Sequence, residues 1–322
     1  MEQPQANPSE KHDTPAEIVL VRPRGFCAGV DRAIAIVEIA LEKFGPPVYV
    51  KHAIVHNRHV VERLRAKGAV FVEELSEVPE GSKVIYSAHG VSPAVREEAA
   101  VRALDVVDAT CPLVTKVHTE AKRYANEGRT IVLVGHREHV EVVGTFGEAP
   151  DKIVVVGTPE EAEQVKVADP EQVACLTQTT LSVDDTRDII DVLRRRFPKL
   201  EQPGKDDICY ATQNRQSAVQ QLAKQVELVL VVGSENSSNS NRLAEVARAL
   251  GVPSYLVESQ EFVDLTWLAN VRRVGVSAGA SAPEDVVQSL VTFLADHLKA
   301  SVRELEVVKE DVAFPLPPRM KN

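Results

Sequence analysis

Three of the four cysteines stand at matching places in this chain. Cys27 lies in RGFCAGVDRA, Cys111 in DATCPLVTKVH and Cys209 in DDICYATQNRQ. Each opens a stretch whose apolar residues recur at helical spacing. A strand-like run follows each helix (PVYV, TIVLVG, LVLVVG), and a polar loop follows each strand. His56, His139 and Ser238 sit in those loops, 29, 28 and 29 residues after their cysteines. After another helix and strand comes a second polar turn, which places His89, Thr179 and Ser281 62, 68 and 72 residues after the same cysteines. If the three copies pack around one axis, the thiols and the polar loops converge. The helix dipole favours a thiolate, so thiols at helix starts are expected to ionise easily. Thiolates hold soft or borderline metals. A closed zinc site of three cysteines and a histidine is one outcome. A 4Fe–4S cluster with three protein ligands and one iron open to a substrate oxygen is another.

The loops narrow the ligand. His56, His89, His139, Ser237, Ser238, Asn239 and Ser281 offer donors suited to a phosphate or diphosphate, alongside helix-terminal N–H groups. The chain lacks GxxxxGK[ST], so the site is not a P-loop. Glu141, two residues beyond His139, becomes a proton donor if burial raises its pKa. The glycines around Cys27 suit close approach of backbone to a bulky group. Cys175 breaks the repeat inside VACLTQTT and reads as a core residue. His12 and His297 read as solvated; His52, His59, His118 and His136 read as capping or supporting groups.

These spacings step back to an architecture. Alternating β and α segments imply an α/β fold with parallel sheets, and such sheets bind ligands at the carboxyl ends of their strands. Three copies of about a hundred residues give units at 17–110, 111–208 and 209–298, related by a pseudo-threefold axis around a central cavity. A polar tail, 1–16, precedes them, and a proline-bearing strap, 299–322, is expected to lie extended over the body. All nine polar positions are expected at strand-to-helix turns.

The 322 residues are 44% hydrophobic and carry a net charge of −10. That balance argues against nucleic acid and anionic membrane as partners. No apolar run approaches the ~18 residues of a membrane span. The polar start lacks the apolar core of a signal peptide, so a cytoplasmic protein without disulfides is expected. A threefold core within one chain suggests a monomer.

Together PRGFCAGVDRAI, VHNRHVV, SAHGVS, DATCPLVTKVH, TQTTLSVDDT, DDICYATQNRQ, GSENSSNSNRLAE and SAGASAP closely resemble the 4-hydroxy-3-methylbut-2-enyl diphosphate reductase family, over about residues 18–298. The resemblance implies a trefoil of three α/β units holding one 4Fe–4S cluster on Cys27, Cys111 and Cys209. It implies diphosphate binding by His56, His89, His139, Ser237, Ser238, Asn239 and Ser281. Glu141 would be the proton source, with Thr179 in a relay and Thr180 assisting. The implied reaction is reductive removal of an allylic hydroxyl, yielding isopentenyl and dimethylallyl diphosphates, with ferredoxin or flavodoxin as electron donor. Where the family carries His-Pro-Glu, this chain has His139-Val140-Glu141, which puts the rigidity of that loop in question. Two other readings use the same residues: a non-catalytic diphosphate- or isoprenoid-binding protein with structural zinc, and a redox sensor. The intact Glu141, Thr179 and NSSNSN set speaks against the sensor.

Overall fold

The computed structural model describes residues 16–321, so the expected tail lies, but for Ala16, outside the described residues. β1 (Glu17–Arg22) leads to α1 (Ala28–Phe44), β2 (Val48–Lys51), α2 (Arg58–Ala66), β3 (Ala69–Val72), β4 (Lys83–Tyr86), α3 (Pro93–Val101) and β5 (Asp105–Asp108). Then come α4 (Pro112–Asn126), β6 (Thr130–Val134), α5 (Val140–Phe146), β7 (Ile153–Val156), α6 (Pro159–Gln164), β8 (Val173–Thr177) and α7 (Val183–Arg196). The chain ends with α8 (Tyr210–Ala223), β9 (Leu228–Val232), α9 (Ser238–Ala249), β10 (Ser254–Val257), β11 (Arg273–Ala278), α10 (Glu284–Leu298) and β12 (Ser301–Glu306).

Three small sheets result, in the orders β3-β2-β4-β5, β7-β6-β8 and β10-β9-β11-β1-β12. Every ladder is parallel. The order repeats: the first strand of each unit sits between the second and third, and a fourth lies beyond the third. In the middle sheet an isolated parallel bridge from Glu201 to Ala174 takes the fourth place. The fourth strand of each unit leads to the next cysteine. β1 therefore completes the third sheet, beside β11, and does not belong with residues 28–110 as the repeat alone suggests. Its sequence IVLV is buried throughout, as a central parallel strand requires. Part of the expected strap, Ser301–Glu306, is the strand that covers the free edge of β1. Only the segment beyond it runs extended. It ends in a 3-10 turn, Pro318–Met320, whose Met320 is buried and, with Leu316, packs into the core cluster that includes α1.

Local chemistry starts the helices on time. Asn57, Ser92, Thr158, Ser182 and Ser237 each cap a helix by accepting a backbone N–H from three residues on. Proline stands in the first turn of α3, α4 and α6, where its missing N–H costs nothing.

Candidate active site

The three thiols occupy helix-cap positions: Cys27 before α1, Cys111 before α4 and Cys209 before α8. Two of them follow strands, β1 and β5. Cys209 follows a loop after the Glu201 bridge, so eight of the nine expected positions lie beyond strand ends. Cys209 Sγ serves as a cap, accepting the Thr212 N–H at 3.4 Å, with Thr212 Oγ1 at 3.2 Å. Thr212 also lines the cavity; its place three residues into a helix was a readable signal that sequence reasoning passed over. Gly29 brings two thiols together. A Cβ built there meets Cys111 Sγ at 2.8 Å and Cys27 Sγ at 3.8 Å, so the glycine answers to Cys111 as well as to its own loop.

Burial, not the helix dipole, sets the state of these thiols. Desolvation raises all three pKa values, that of Cys111 to about 12 and that of Cys209 to about 11. Backbone N–H bonds at the helix starts pull Cys111 down, but burial outweighs them, and the neighbouring thiols push it further up. The expectation of easy ionisation is thereby corrected. Three mutually repelling buried sulfurs become thiolates only with a cationic group between them. No set of three His, Cys, Asp or Glu side chains among the described residues is placed to hold a single metal ion. Three converging thiols are donors suited to a soft metal group. Cys175 is fully buried on β8 and packs in the core, as its sequence suggested.

Across the cavity the imidazoles cluster. His56 stacks on His89 at 4.1 Å, and His139 stands edge-on at 5.3 and 6.1 Å. They sit on loops beyond β2, β4 and β6, the carboxyl edges of two sheets. Burial, and then repulsion from neighbouring imidazoles, His52 and His136 included, lower His56 and His139 to about 4 and His89 well below its ordinary value. All three are therefore neutral donors near pH 7. His139 Nδ1 accepts the Glu141 N–H at 3.2 Å, which leaves its proton on Nε2. Both ring nitrogens of His56 and both amide atoms of Asn239 are buried without a partner. Such groups call for a polar ligand. Ser281 donates to His56 O at 2.9 Å, Ser238 to Thr180 O at 3.3 Å, and Ser237 caps α9. Gln178 Nε2 donates to Thr180 Oγ1 at 3.0 Å.

Glu141 is 2% exposed. Thr179 donates to it twice, N–H to Oε1 at 2.6 Å and Oγ1 to Oε2 at 3.0 Å. Desolvation raises the carboxyl to about 7, against those two bonds and with help from the charge of Asp207. The loop around Val140 is tied at the start of α5. His139 caps α5 through its ring and its carbonyl, which accepts the Val143 N–H at 3.0 Å.

All thirteen site residues expected from the sequence line one cavity of about 110 Å³. The other described histidines do not line it. His52 pairs with Glu73, His59 with Glu258 O, His118 with Glu148 and His136 with Arg242.

The sequence matches the family described as "LytB protein" over residues 18–295. It is 58% identical to a 4-hydroxy-3-methylbut-2-enyl diphosphate reductase of Aromatoleum aromaticum over 306 residues, 95% of this chain and 98% of that one. The reductase of the same name from an Azoarcus species is 57% identical with the same coverage. Among solved structures, the E-1-hydroxy-2-methyl-but-2-enyl-4-diphosphate reductase of Plasmodium falciparum superposes with a TM-score of 0.93 at 39% identity, covering 95% of this chain and 97% of its own. A second, an (E)-4-hydroxy-3-methyl-but-2-enyl diphosphate reductase described as the terminal enzyme of the non-mevalonate pathway, gives 0.62 at 32% identity, covering 87% and 99%.

Proposed function

This chain belongs to the LytB protein family, and from that premise we propose that it reduces (E)-4-hydroxy-3-methylbut-2-enyl diphosphate to isopentenyl and dimethylallyl diphosphates. The allylic C–O bond breaks, two electrons and two protons enter, and water leaves. Cys27, Cys111 and Cys209 would hold one 4Fe–4S cluster, which when bound supplies the electrons and a Lewis-acidic iron. The protein's own groups do the rest.

Hydroxide is a poor leaving group, so the oxygen must be protonated as the bond breaks. Glu141, raised by burial to about 7, keeps a protonated fraction near neutrality and is a matched donor. Thr179 fixes the rotamer of the carboxyl through two bonds. His56, His89, His139, Ser237, Ser238, Asn239 and Ser281 would hold the diphosphate. Neutral imidazoles donate hydrogen bonds without adding fixed charge to a dry cavity, and the unpartnered atoms of His56 and Asn239 gain partners. Thr180, bonded to Gln178 and Ser238, sets the loop between Glu141's partner and α9. A ferredoxin or flavodoxin as electron donor, a monomeric state and a cytoplasmic setting complete the reading. No described helix is long and apolar enough to cross a membrane.

The observation that carries the reading is convergence: three thiols, a buried carboxyl poised near neutrality and unpartnered polar atoms share one cavity. The test is iron and acid-labile sulfide in protein purified without oxygen, followed by turnover with the allylic diphosphate and a strong reductant. About four irons and four sulfides per chain are expected. Zinc alone, or no metal after anaerobic reconstitution, sinks the proposal and returns the site to a binding protein.

A further inference from the structure

Each cysteine-bearing helix carries a cation just beyond its thiol, and each cation reaches the segment that leads into the next cysteine. Arg32 on α1 donates through Nη1 to Ala109 O at 3.2 Å and Thr110 O at 3.0 Å, the two carbonyls before Cys111. Lys116 on α4 donates to Lys205 O at 2.6 Å, Asp206 O at 2.9 Å and Asp207 Oδ1 at 3.0 Å, on the approach to Cys209. Arg215 on α8 donates to Gly25 O at 2.9 Å and Phe26 O at 3.3 Å, the two carbonyls before Cys27. The links run from Cys27 to Cys111, from Cys111 to Cys209 and from Cys209 back to Cys27. They close a ring.

The C-terminal segment joins two of the three links. Arg32 Nε donates to Pro315 O at 2.9 Å. Arg215, which is fully buried, pairs with Glu310 at 3.1 Å, and Asn214 donates to the same carboxylate at 3.0 Å. Tyr210 secures the far side of the Cys27 turn by accepting the Ala28 N–H at 3.2 Å.

We propose that Arg32, Lys116 and Arg215 form a cyclic girdle of positioning residues that holds the three thiol turns in register around the cluster and offsets its negative charge, with Glu310 and Pro315 as its latch. The inference rests on the cluster reading above. Its physical basis is twofold. The direction of each thiol is set by the backbone just before it, and a cation bonded to those carbonyls fixes that backbone by charge-assisted hydrogen bonds. Each bond also ties a cysteine helix to the segment that leads into the next cysteine, so the ring couples each thiol turn to the next. Arginine stands in the two links that must span both a turn and the C-terminal segment; lysine suffices where the acceptors converge on one point. Reduction adds negative charge inside the ring. Cations there favour the reduced state, and Glu310 opposes them.

The experiment uses the full chain, loaded anaerobically. Lys116→Met, Arg32→Met, Arg32→Lys and Glu310→Gln are compared with the parent for iron content, for the rate at which a chelator bleaches the visible absorption, and for midpoint potential. Circular dichroism checks the fold, and Glu310→Gln keeps the test open if an arginine variant fails to fold. Lys116→Met and Arg32→Met are expected to lose the cluster about tenfold faster, the effect of one lost charged hydrogen bond, and to show lower potentials. Arg32→Lys, which keeps the charge but not the fork, is expected to restore most of the potential and only part of the retention, and Glu310→Gln to raise the potential. If the parent loads its cluster and all the variants keep its rate and potential, the girdle is wrong and the cluster reading stands. If the parent takes up no cluster, the functional reading falls first and the girdle with it.

Discussion

At the scale of single residues, Glu141 and the three imidazoles were shifted in opposite senses by the same burial. The consequences can be signed. A proton donor with a pKa of about 7 is lost as pH rises through that value, so turnover is expected to fall on the alkaline side of about 7. Glu141→Gln is expected to bind substrate with little change while turnover falls by about 10²–10⁴, the usual worth of a positioned general acid. Near-normal turnover in that variant would remove Glu141 from the role. Stability follows the same shifts. The carboxyl rises from 4.5 to about 7 on folding, so its contribution is fully present below pH 4.5 and is lost as pH rises through about 7. His56 and His139 fall from 6.5 to about 4; their contribution is present above 6.5 and is lost as pH falls through about 4. Two groups outweigh one, and His89 moves with the pair. The unliganded protein is therefore expected to lose urea resistance on acidification from pH 6.5 to 4. His56→Asn should flatten that slope; an unchanged slope would mean that these rings are already charged in the folded state.

At the scale of elements, the helix starts were the most legible part of the molecule. Cap residues, first-turn prolines and the cysteines announce themselves locally; the repeated spacing located nine of the thirteen expected site residues, their loop neighbours and the family resemblance supplied the other four, and all thirteen line the cavity. What could not be read is what depends on packing. Burial reversed the expected ionisation of the thiols. Gly29 looked like a loop glycine but stands against Cys111 Sγ across a unit boundary. In an open helix, alanine for glycine gains about 1 kcal/mol. Here the added Cβ would lie 2.8 Å from sulfur, so Gly29→Ala is expected to destabilise by about 1–3 kcal/mol and to lower the iron bound per chain. A gain in melting temperature with full iron would show that the Cys111 turn moves aside freely. The Val140 position gives the opposite forecast. It opens α5, where no intrahelical partner exists for its N–H, and His139 before it has φ −71° and ψ 132°, the region that a following proline demands. Val140→Pro is expected to be neutral or to stabilise by about 0.4–1 kcal/mol, read from the denaturation midpoint, with turnover unchanged.

At the scale of the whole molecule, the chain is a circular arrangement cut open at one place. Units run from one cysteine helix to the strand before the next cysteine, and β1, first in sequence, serves as the last strand of the third unit. The repeat in the sequence revealed the threefold plan but not this phase, because a parallel partner leaves no local mark on a strand; only the unbroken IVLV run hinted at a central place. The same plan puts the reactive groups where the units meet, so movement between units is a route for substrate to reach them. The cavity measures about 110 Å³, below the ~300 Å³ at which small-molecule pockets begin. That is little room for a branched five-carbon diphosphate beside a metal group, and His56 and His89 are stacked at 4.1 Å within it. The units are therefore expected to part in solution and to close on the ligand through the links that join the sheets, residues 109–111 and 197–209 among them. Small-angle scattering on the loaded chain, with and without inorganic diphosphate, reads this directly. A smaller radius of gyration with diphosphate, together with slower amide exchange in the loops at His56, His139 and Ser237, is the expected result. An unchanged radius and unchanged exchange, with diphosphate shown to bind, would mean that the cavity widens by side-chain rotation alone and that the three units behave as one rigid body.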